Sequence, residues 1–284
     1  MHSEPPRRKR TRWFIAIAKI NWTAFLILYN IKSDHRTIGL SEKKERQVNC
    51  CREIFCGGDF MNISIFKAIG PIMIGPSSSH TAGATKLARI SRKIVGKSYN
   101  HVSFGLHGSF AKTYKGHGTD YALVGGALGL KEDDLNIPHS FKMAEEKNLT
   151  FDFYEIELEG AHENSVKITF SMNDGTEKNI CGSSLGGGQV LITKIDDFET
   201  EFSVNSTTIL IMQNDEAGVT NKVTGVLARN NINIGIMKLS RVSKGGVAFC
   251  VIETDHPVDD SVKNELQEIK QIINLKAINI EEDF

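Results

Sequence analysis

The chain changes its hydrophobic period several times along its length. After a turn-rich segment, apolar residues recur every three or four positions, at Leu87, Ile90 and Ile94. That spacing predicts a helix with one buried face, which Gly96 would end. Strands are predicted where apolar and polar residues alternate instead. These segments are 101–107, 151–158 and 166–171, and an Asn-Asp-Gly turn after the last predicts a hairpin.

The last part of the chain has a regular order of predicted elements. Strands are predicted at 207–212, 232–239, 247–253 and 273–280, with helices from 219 to about 230 and from 259. The order βαββαβ is the ferredoxin-like pattern. A polar and acidic stretch, 198–206, is interpreted as the linker before it. The predicted fold class is α+β, an N-terminal α/β domain at 61–202 and a βαββαβ domain at 207–284.

Composition supports two domains of ordinary size. The 284 residues are 40% hydrophobic, and 34 basic residues balance 34 acidic ones. No global charge would draw the protein to nucleic acid or to an anionic membrane. Only Cys181 and Cys250 follow residue 60, too few for a disulfide framework or a four-thiolate site. A reducing cytoplasm is the expected compartment.

Residues 1–60 differ from the rest of the chain. They hold 12 basic residues against 6 acidic ones, and a basic cluster precedes an apolar run from Trp13 to Tyr29. A targeting segment is one interpretation, but Lys19 interrupts the run and no small-residue cleavage site follows. We favour a non-native upstream extension or a disordered segment. Gly57 to Phe60 can be encoded by a purine-rich ribosome-binding sequence, so Met61 is the preferred initiator.

Three serines, a histidine and a threonine stand where the first helix begins. Ser77, Ser78, Ser79 and Thr81 supply hydroxyls, and His80 supplies a group that exchanges protons near neutrality. Free amides and the positive end of the helix dipole favour a carboxylate or phosphate there. The alternative is that these hydroxyls only cap the helix.

Two further segments carry more polar or glycine residues than a simple connection needs. The first, 107–120, is interpreted as a glycine-rich loop that contains His107, Lys112 and His117. The second, 181–188, is interpreted as a loop whose missing β-carbons let backbone amides approach a ligand. A solvated loop and a plain tight turn are the structural alternatives.

In order along the chain, these segments resemble the β chain of the iron–sulfur-dependent L-serine dehydratases. The matching strings are 75–83, 106–113 with 115–120, and 183–188. The resemblance implies conversion of L-serine to pyruvate and ammonia, with a [4Fe-4S] cluster on a separate α chain and no metal ligand in this chain. It also implies that His80, His107 and His117 compete for the role of base. The implied substrate-binding residues are Ser77, Ser78, Ser79, Thr81, Lys112, Ser183 and Gly187.

The C-terminal pattern resembles an ACT domain, the small module that binds amino acids and usually pairs with a second copy. Residues 215–218 match the family's Asp-x-Pro-Gly turn, except that Ala217 replaces proline. The resemblance implies homodimerisation and a regulatory amino-acid site. Its candidate residues are Asn214, Asp215, Gly218, Val219 and Asn233. Whether the module binds a ligand or only dimerises stays open at this point.

Two rival functions use other features of the sequence. A purely regulatory amino-acid sensor would need the ACT-like module but not the serine and histidine cluster. A pyridoxal-phosphate enzyme would use Lys142, which follows Ser140 and Phe141, with Gly186 to Gly188 as a phosphate loop. The match to that second pattern is thin.

Overall fold

The structure, a computed structural model, describes residues 72–279. Predictions for residues 1–60, including the start at Met61, fall outside this range. The first domain begins with a wide helical turn, Ser78–Gly83, that continues directly into a helix. Its other elements are α1 (Ala84–Val95), β1 (Tyr99–Leu106), α2 (Gly108–His117), α3 (Thr119–Leu128), α4 (Ser140–Glu146), β2 (Thr150–Glu155), β3 (Ser165–Met172), β4 (Glu177–Gly186), β5 (Gln189–Ile195) and β6 (Phe198–Phe202).

The six strands of the first domain form one sheet in the order β2-β1-β3-β4-β5-β6. β1 and β2 are parallel and are connected through α2, α3 and α4, whereas the other neighbours are antiparallel. Alternate side chains such as Phe104, Ile168 and Ile180 point to one face and are fully buried. α1 also belongs to this core, because Leu87 is fully buried with them. The predicted helix, alternating strands and hairpin are confirmed.

The second domain has the predicted βαββαβ order. Its elements are β7 (Thr207–Asn214), α5 (Val219–Arg229), β8 (Ile234–Arg241), β9 (Val247–Thr254), α6 (Asp260–Gln267) and β10 (Ile272–Ile278). The strands form one sheet in the order β10-β7-β9-β8. Ile209 and Ile211 of β7 pack with the helices, whereas Leu210 between them joins the core of the first domain. The two domains therefore share buried apolar surface.

The glycine-rich loop predicted at 107–120 is wrong, because most of this segment is the helix α2. Gly108 at its start and Gly118 after its end have φ of 56° and 68°, so these glycines mark the helix boundaries. Phe110 lies inside the helix and is fully buried. A buried apolar anchor at that position stabilises a helix that glycine content alone argues against.

Two other predicted loops are partly strands. Residues 181–184 lie within β4 and pair with β3 and β5. Small residues occur here because α1 packs closely, and a β-carbon on Gly182 would lie 2.7 Å from the side chain of Leu87. The predicted linker at 198–206 begins with β6, in which Phe202 is buried and the neighbouring Glu201 is exposed. Within residues 72–279, no helix is long and apolar enough to cross a membrane.

Candidate functional site

The turn that precedes α1 is built around Ser77. Its hydroxyl oxygen accepts the amide hydrogen of His80 at 3.1 Å, so Ser77 has the capping role that the structural alternative gave to these hydroxyls. Its carbonyl oxygen accepts the amide hydrogens of Thr81 and Ala82, at 3.0 and 3.3 Å. This wide turn leaves Ser78, Ser79 and His80 half-buried at the surface. Side chains that stay partly open to solvent can still meet a ligand.

His80 lies against three residues of α2. Its Nε2 is 3.0 Å from the hydroxyl oxygen of Ser109, and its ring centroid is 4.8 Å from that of His117. The edge of Phe110 packs against the same ring, with centroids 5.2 Å apart. Burial and the nearby His117 lower the pKa of His80. A neutral imidazole at pH 7 can accept a proton.

Thr81 connects the turn to the end of α2. Its fully buried hydroxyl donates to the carbonyl oxygen of His117 at 3.0 Å. The His117 ring in turn has Nδ1 3.4 Å from the carbonyl oxygen of Thr113. Thr81 therefore has a structural contact that keeps His117 beside His80.

The hairpin between β4 and β5 closes over the same turn. Gly186, Gly187 and Gly188 all have positive φ, between 60° and 92°, which favours glycine at each position. The amide hydrogen of Gly187 points to the hydroxyl oxygen of Ser78, with the heavy atoms 3.4 Å apart. The predicted tight backbone turn is therefore present next to the predicted serines.

The structure brings Ser184 to this turn and leaves Ser183 away from it. Ser184 donates its hydroxyl hydrogen to the carbonyl oxygen of Ser79 at 2.9 Å. Ser183 is on the opposite face of β4, where its hydroxyl lies 2.7 Å from that of Ser165. The alternation of side chains along a strand explains the difference. If the segment had been predicted as a strand, the alternation of its side chains would have pointed to Ser184 instead of Ser183.

His107 and Lys112 lie near the cluster and make other contacts. The Nδ1 of His107 accepts the amide hydrogen of Leu158 at 3.2 Å. Lys112 is exposed on α2, three residues after Ser109. In the part of the chain that the structure describes, neither side chain has a hydrogen bond to His80 or His117. Their predicted roles stay predictions.

A short loop before β3 completes the cluster, although nothing in the sequence singled it out. The carbonyl oxygen of Glu163 accepts the amide hydrogens of Ser109 and Phe110, at 2.7 and 3.4 Å. The neighbouring Asn164 accepts the amide hydrogen of Ser184 through its carbonyl oxygen at 2.9 Å. The loop thus ties α2 to β4. The one feature of the sequence that could have indicated this loop is its run of polar residues.

The five residues predicted for an amino-acid site in the second domain do not form one site within the chain. Asn214 is the last residue of β7 and Asp215 follows it, and Gly218 precedes the buried Val219 of α5. Asn233 precedes β8 at the opposite end of the sheet, because Ile234 pairs with Thr254 and Thr254 with Thr207. Its side chain donates to Asp255. The candidate residues therefore form two separate groups, one at each end of the sheet.

Asp215 has a structural role that the sequence did not reveal. Its carboxylate accepts the amide hydrogen of Gly245 at 3.0 Å and a guanidinium hydrogen of Arg241 at 2.9 Å. These bonds lower the pKa of Asp215, the amide of Gly245 most and Arg241 next. The turn after β7 is therefore fastened to the hairpin between β8 and β9.

The described residues do not fit a resident iron–sulfur cluster or a Schiff-base lysine. Cys181 is in β4 and Cys250 in β9, which belong to different sheets, and a cluster needs several thiolates. Within residues 72–279, no three histidine, cysteine or acidic side chains could hold a metal ion. The Lys142 side chain is 78% exposed and pairs with Glu146 at 3.7 Å, whereas a Schiff-base lysine would be enclosed with its cofactor.

Comparisons with known proteins agree with the order of the two domains. The family model described as serine dehydratase beta chain matches residues 64–148, and the one described as ACT domain matches residues 207–271. The chain is also similar to a D-3-phosphoglycerate dehydrogenase of Bacillus subtilis (strain 168). These two are 25% identical over 200 residues, which cover 69% of this chain and 37% of the dehydrogenase.

Two relatives match over nearly their whole length. The chain is 40% identical to the probable L-serine dehydratase, beta chain, of Bacillus subtilis (strain 168) over 215 residues, 76% of this chain and 97% of that one. It is also 40% identical to the L-serine dehydratase, beta chain, of Peptoniphilus asaccharolyticus over 218 residues, 76% and 98% of the two chains. The chain therefore belongs to the family of L-serine dehydratase β chains.

Proposed function

We propose that this chain is the β subunit of an L-serine dehydratase, and that the cluster around His80 contributes substrate binding and proton transfer. The reaction removes the Cα proton and the hydroxide of L-serine, which leave together as water. The aminoacrylate product tautomerises to an imine, and hydrolysis gives pyruvate and ammonia. The observation that carries the proposal is the half-buried His80 with a lowered pKa, held against Ser109 inside the family's own sequence motif.

The groups around His80 suit a small amino acid. The hydroxyls of Ser78 and Ser79 and the amide of Gly187 can donate to a carboxylate. In the tautomer whose Nε2–H donates to the hydroxyl oxygen of Ser109, Nδ1 of His80 carries the lone pair that can accept the Cα proton. Burial lowers the pKa of His80 most and the neighbouring ring of His117 lowers it further, which favours a neutral His80 before the reaction.

We infer that a partner α chain carries the iron–sulfur cluster and completes the active site. The absence of a metal-holding group from residues 72–279 supports this division. A second copy of this chain is the other proposed partner. β8 is at the edge of its sheet, and its Ile236 and Leu239 are 54% and 46% exposed, which supports pairing of two ACT domains.

The test is turnover of the complex with its α chain, purified without oxygen from a C-terminally tagged chain. We expect His80→Ala to lower kcat by about 10²-fold to 10⁴-fold, the usual contribution of a general base. His139→Ala, an exposed histidine of the same domain, is the matched control and should keep full turnover. Unchanged pyruvate production by His80→Ala would show that His80 is not the proton acceptor.

A regulatory subunit is the second candidate, and the match to phosphoglycerate dehydrogenases favours it. The matching 200 residues are too many for the ACT domain alone and are 37% of an enzyme with a different name and activity. A module found in both proteins has a role that is separable from dehydration. The same His80→Ala complex distinguishes the two. If this chain is only a sensor, the His80→Ala complex should assemble, keep its turnover and still respond to an amino acid.

A further inference from the structure

A cleft of about 490 Å³ lies in the first domain, at the end of α1 that is remote from His80. The helices α1 and α3 end at this cleft, α4 ends beside it, and β1 begins there. α1 has 12 residues, so the cleft is about 18 Å from the turn that holds His80. None of the residues already described for serine binding lines it.

The charge of the cleft is positive. Arg92, Lys97 and Lys147 line it, and no carboxylate of residues 72–279 does. Lys97 is 3.7 Å from Asp174, but both side chains are more than half exposed, and such pairs hold weakly. In the part of the chain that the structure describes, neither Arg92 nor Lys147 has a carboxylate partner.

The negative ends of the helices offset only part of this positive charge. Each helix carbonyl end carries roughly half a negative charge, so α1, α3 and α4 together supply roughly one and a half. Three full positive charges exceed that sum. The surplus charge is available to a ligand from solvent, because all three cationic side chains are exposed.

One wall of the cleft is held in place by Tyr99. Its hydroxyl donates to the carbonyl oxygen of Ala127 and its oxygen also accepts from Arg92. Burial raises the pKa of Tyr99 to about 12, so the phenol stays neutral and keeps donating. The guanidinium of Arg92 is thus oriented at the rim, and its planar fork suits the oxygens of phosphate or carboxylate groups.

We propose that this cleft binds a small polyvalent oxyanion, either a phosphate ester or a compound with two or three carboxylates. Its position gives the ligand access to the contact between the domains. Gly96 and Lys97 also line a second cleft, of about 210 Å³, that includes residues of both domains. There Lys276 of β10 donates to the carbonyl oxygen of Ile94 at the end of α1.

The test is calorimetric titration of the full chain at low ionic strength, with pyrophosphate and with citrate as separate probes. We expect one saturable site that weakens as sodium chloride is added. Arg92→Gln and Lys147→Gln should each weaken binding by about tenfold or more, the usual effect of losing a charged hydrogen bond. Lys142→Gln, in α4 five residues before Lys147 and not among the residues that line the cleft, should leave binding unchanged.

The two probes and a folding measurement make every outcome informative. Binding of pyrophosphate alone shows that the cleft recognises phosphoryl oxygens, which a phosphate ester carries, and binding of citrate alone shows that it recognises carboxylates. Absence of saturable binding by either probe, or equal binding by the Arg92→Gln/Lys147→Gln double variant, overturns the proposal. If the double variant has a lower melting temperature and an unchanged affinity, these cations stabilise the helix ends and do not bind a ligand. Heat of binding is independent of pyruvate formation, so the result stands apart from the dehydratase proposal.

Discussion

The two domains differ in how closely a helical glycine approaches its neighbours. In the first, α1 and α3 approach so closely that a β-carbon on Gly126 would lie 2.2 Å from the carbonyl oxygen of Thr85. In the second, a β-carbon on Gly225 of α5 would meet only the end of the Arg229 side chain, at 3.5 Å. The first domain therefore depends on close backbone contact, whereas α5 has room at this position.

The same contrast holds for the candidate sites. In the first domain, residues of the turn before α1, of α2 and of the β4–β5 hairpin meet around His80. In the second, the predicted residues lie at two ends of one sheet. A site built from distant segments needs tight packing to hold those segments together. The candidate residues of the second domain are at opposite ends of a sheet, so they do not make a complete site within one chain.

The largest expected effect is a matched pair of glycine substitutions. Gly126→Ala should lower the free energy of unfolding by about 3 kcal/mol, because overpacking forces the backbones of α1 and α3 apart. Gly225→Ala should raise it by up to about 1 kcal/mol, because alanine restricts the unfolded chain and fits the helix. Urea unfolding measures both. Equal effects of the two substitutions would contradict the difference in packing.

A smaller effect should separate the two serines of β4. Ser183→Ala and Ser184→Ala each remove one buried hydrogen bond and should each cost about 1 kcal/mol of stability. Only Ser184→Ala should also raise KM for L-serine, because Ser184 holds the carbonyl of Ser79. Steady-state kinetics of the assembled enzyme test this. A raised KM in Ser183→Ala instead would move the site to the other face of the sheet.

A pH profile tests the pairing of the two histidines. His80 must be neutral to accept a proton, so the acidic limb of kcat/KM follows its pKa. Burial lowers that pKa most and the nearby His117 lowers it further, so His117→Gln removes the second of these two causes. The acidic limb should therefore move to higher pH. His101→Gln, on β1 and paired with Asp152, is the control and should not move it.

The smallest expected effect concerns the second domain. The folded-state pKa of Asp215 is lowered, so its bonds stabilise the protein above the ordinary pKa of an aspartate and are lost as pH falls. Asp215→Asn should lower the melting temperature slightly at pH 7, and the difference should narrow in acid. Asp260→Asn, an exposed aspartate in α6, is the control. A difference that stays constant with pH would show that the charge of Asp215 is not what matters.

The sequence by itself determined most of the elements and the family. Its hydrophobic periods predicted α1, the alternating strands and the whole βαββαβ domain, because burial of one face imposes the period on the residues. The motif from Ser77 to Thr81 pointed to His80 before any contact was known. Local signals sufficed for these features because each depends on neighbours within a few residues.

Only the tertiary structure decided which residues meet. Ser109 lies 29 residues from His80, and Ser184 lies 105 residues from Ser79, so no local pattern records either bond. The glycine-rich segment became α2 because Phe110 is buried in the core, which outweighs the low helix propensity of its glycines. Contacts between distant segments form only when the core has closed, and the positions of the donors and acceptors follow from that closure.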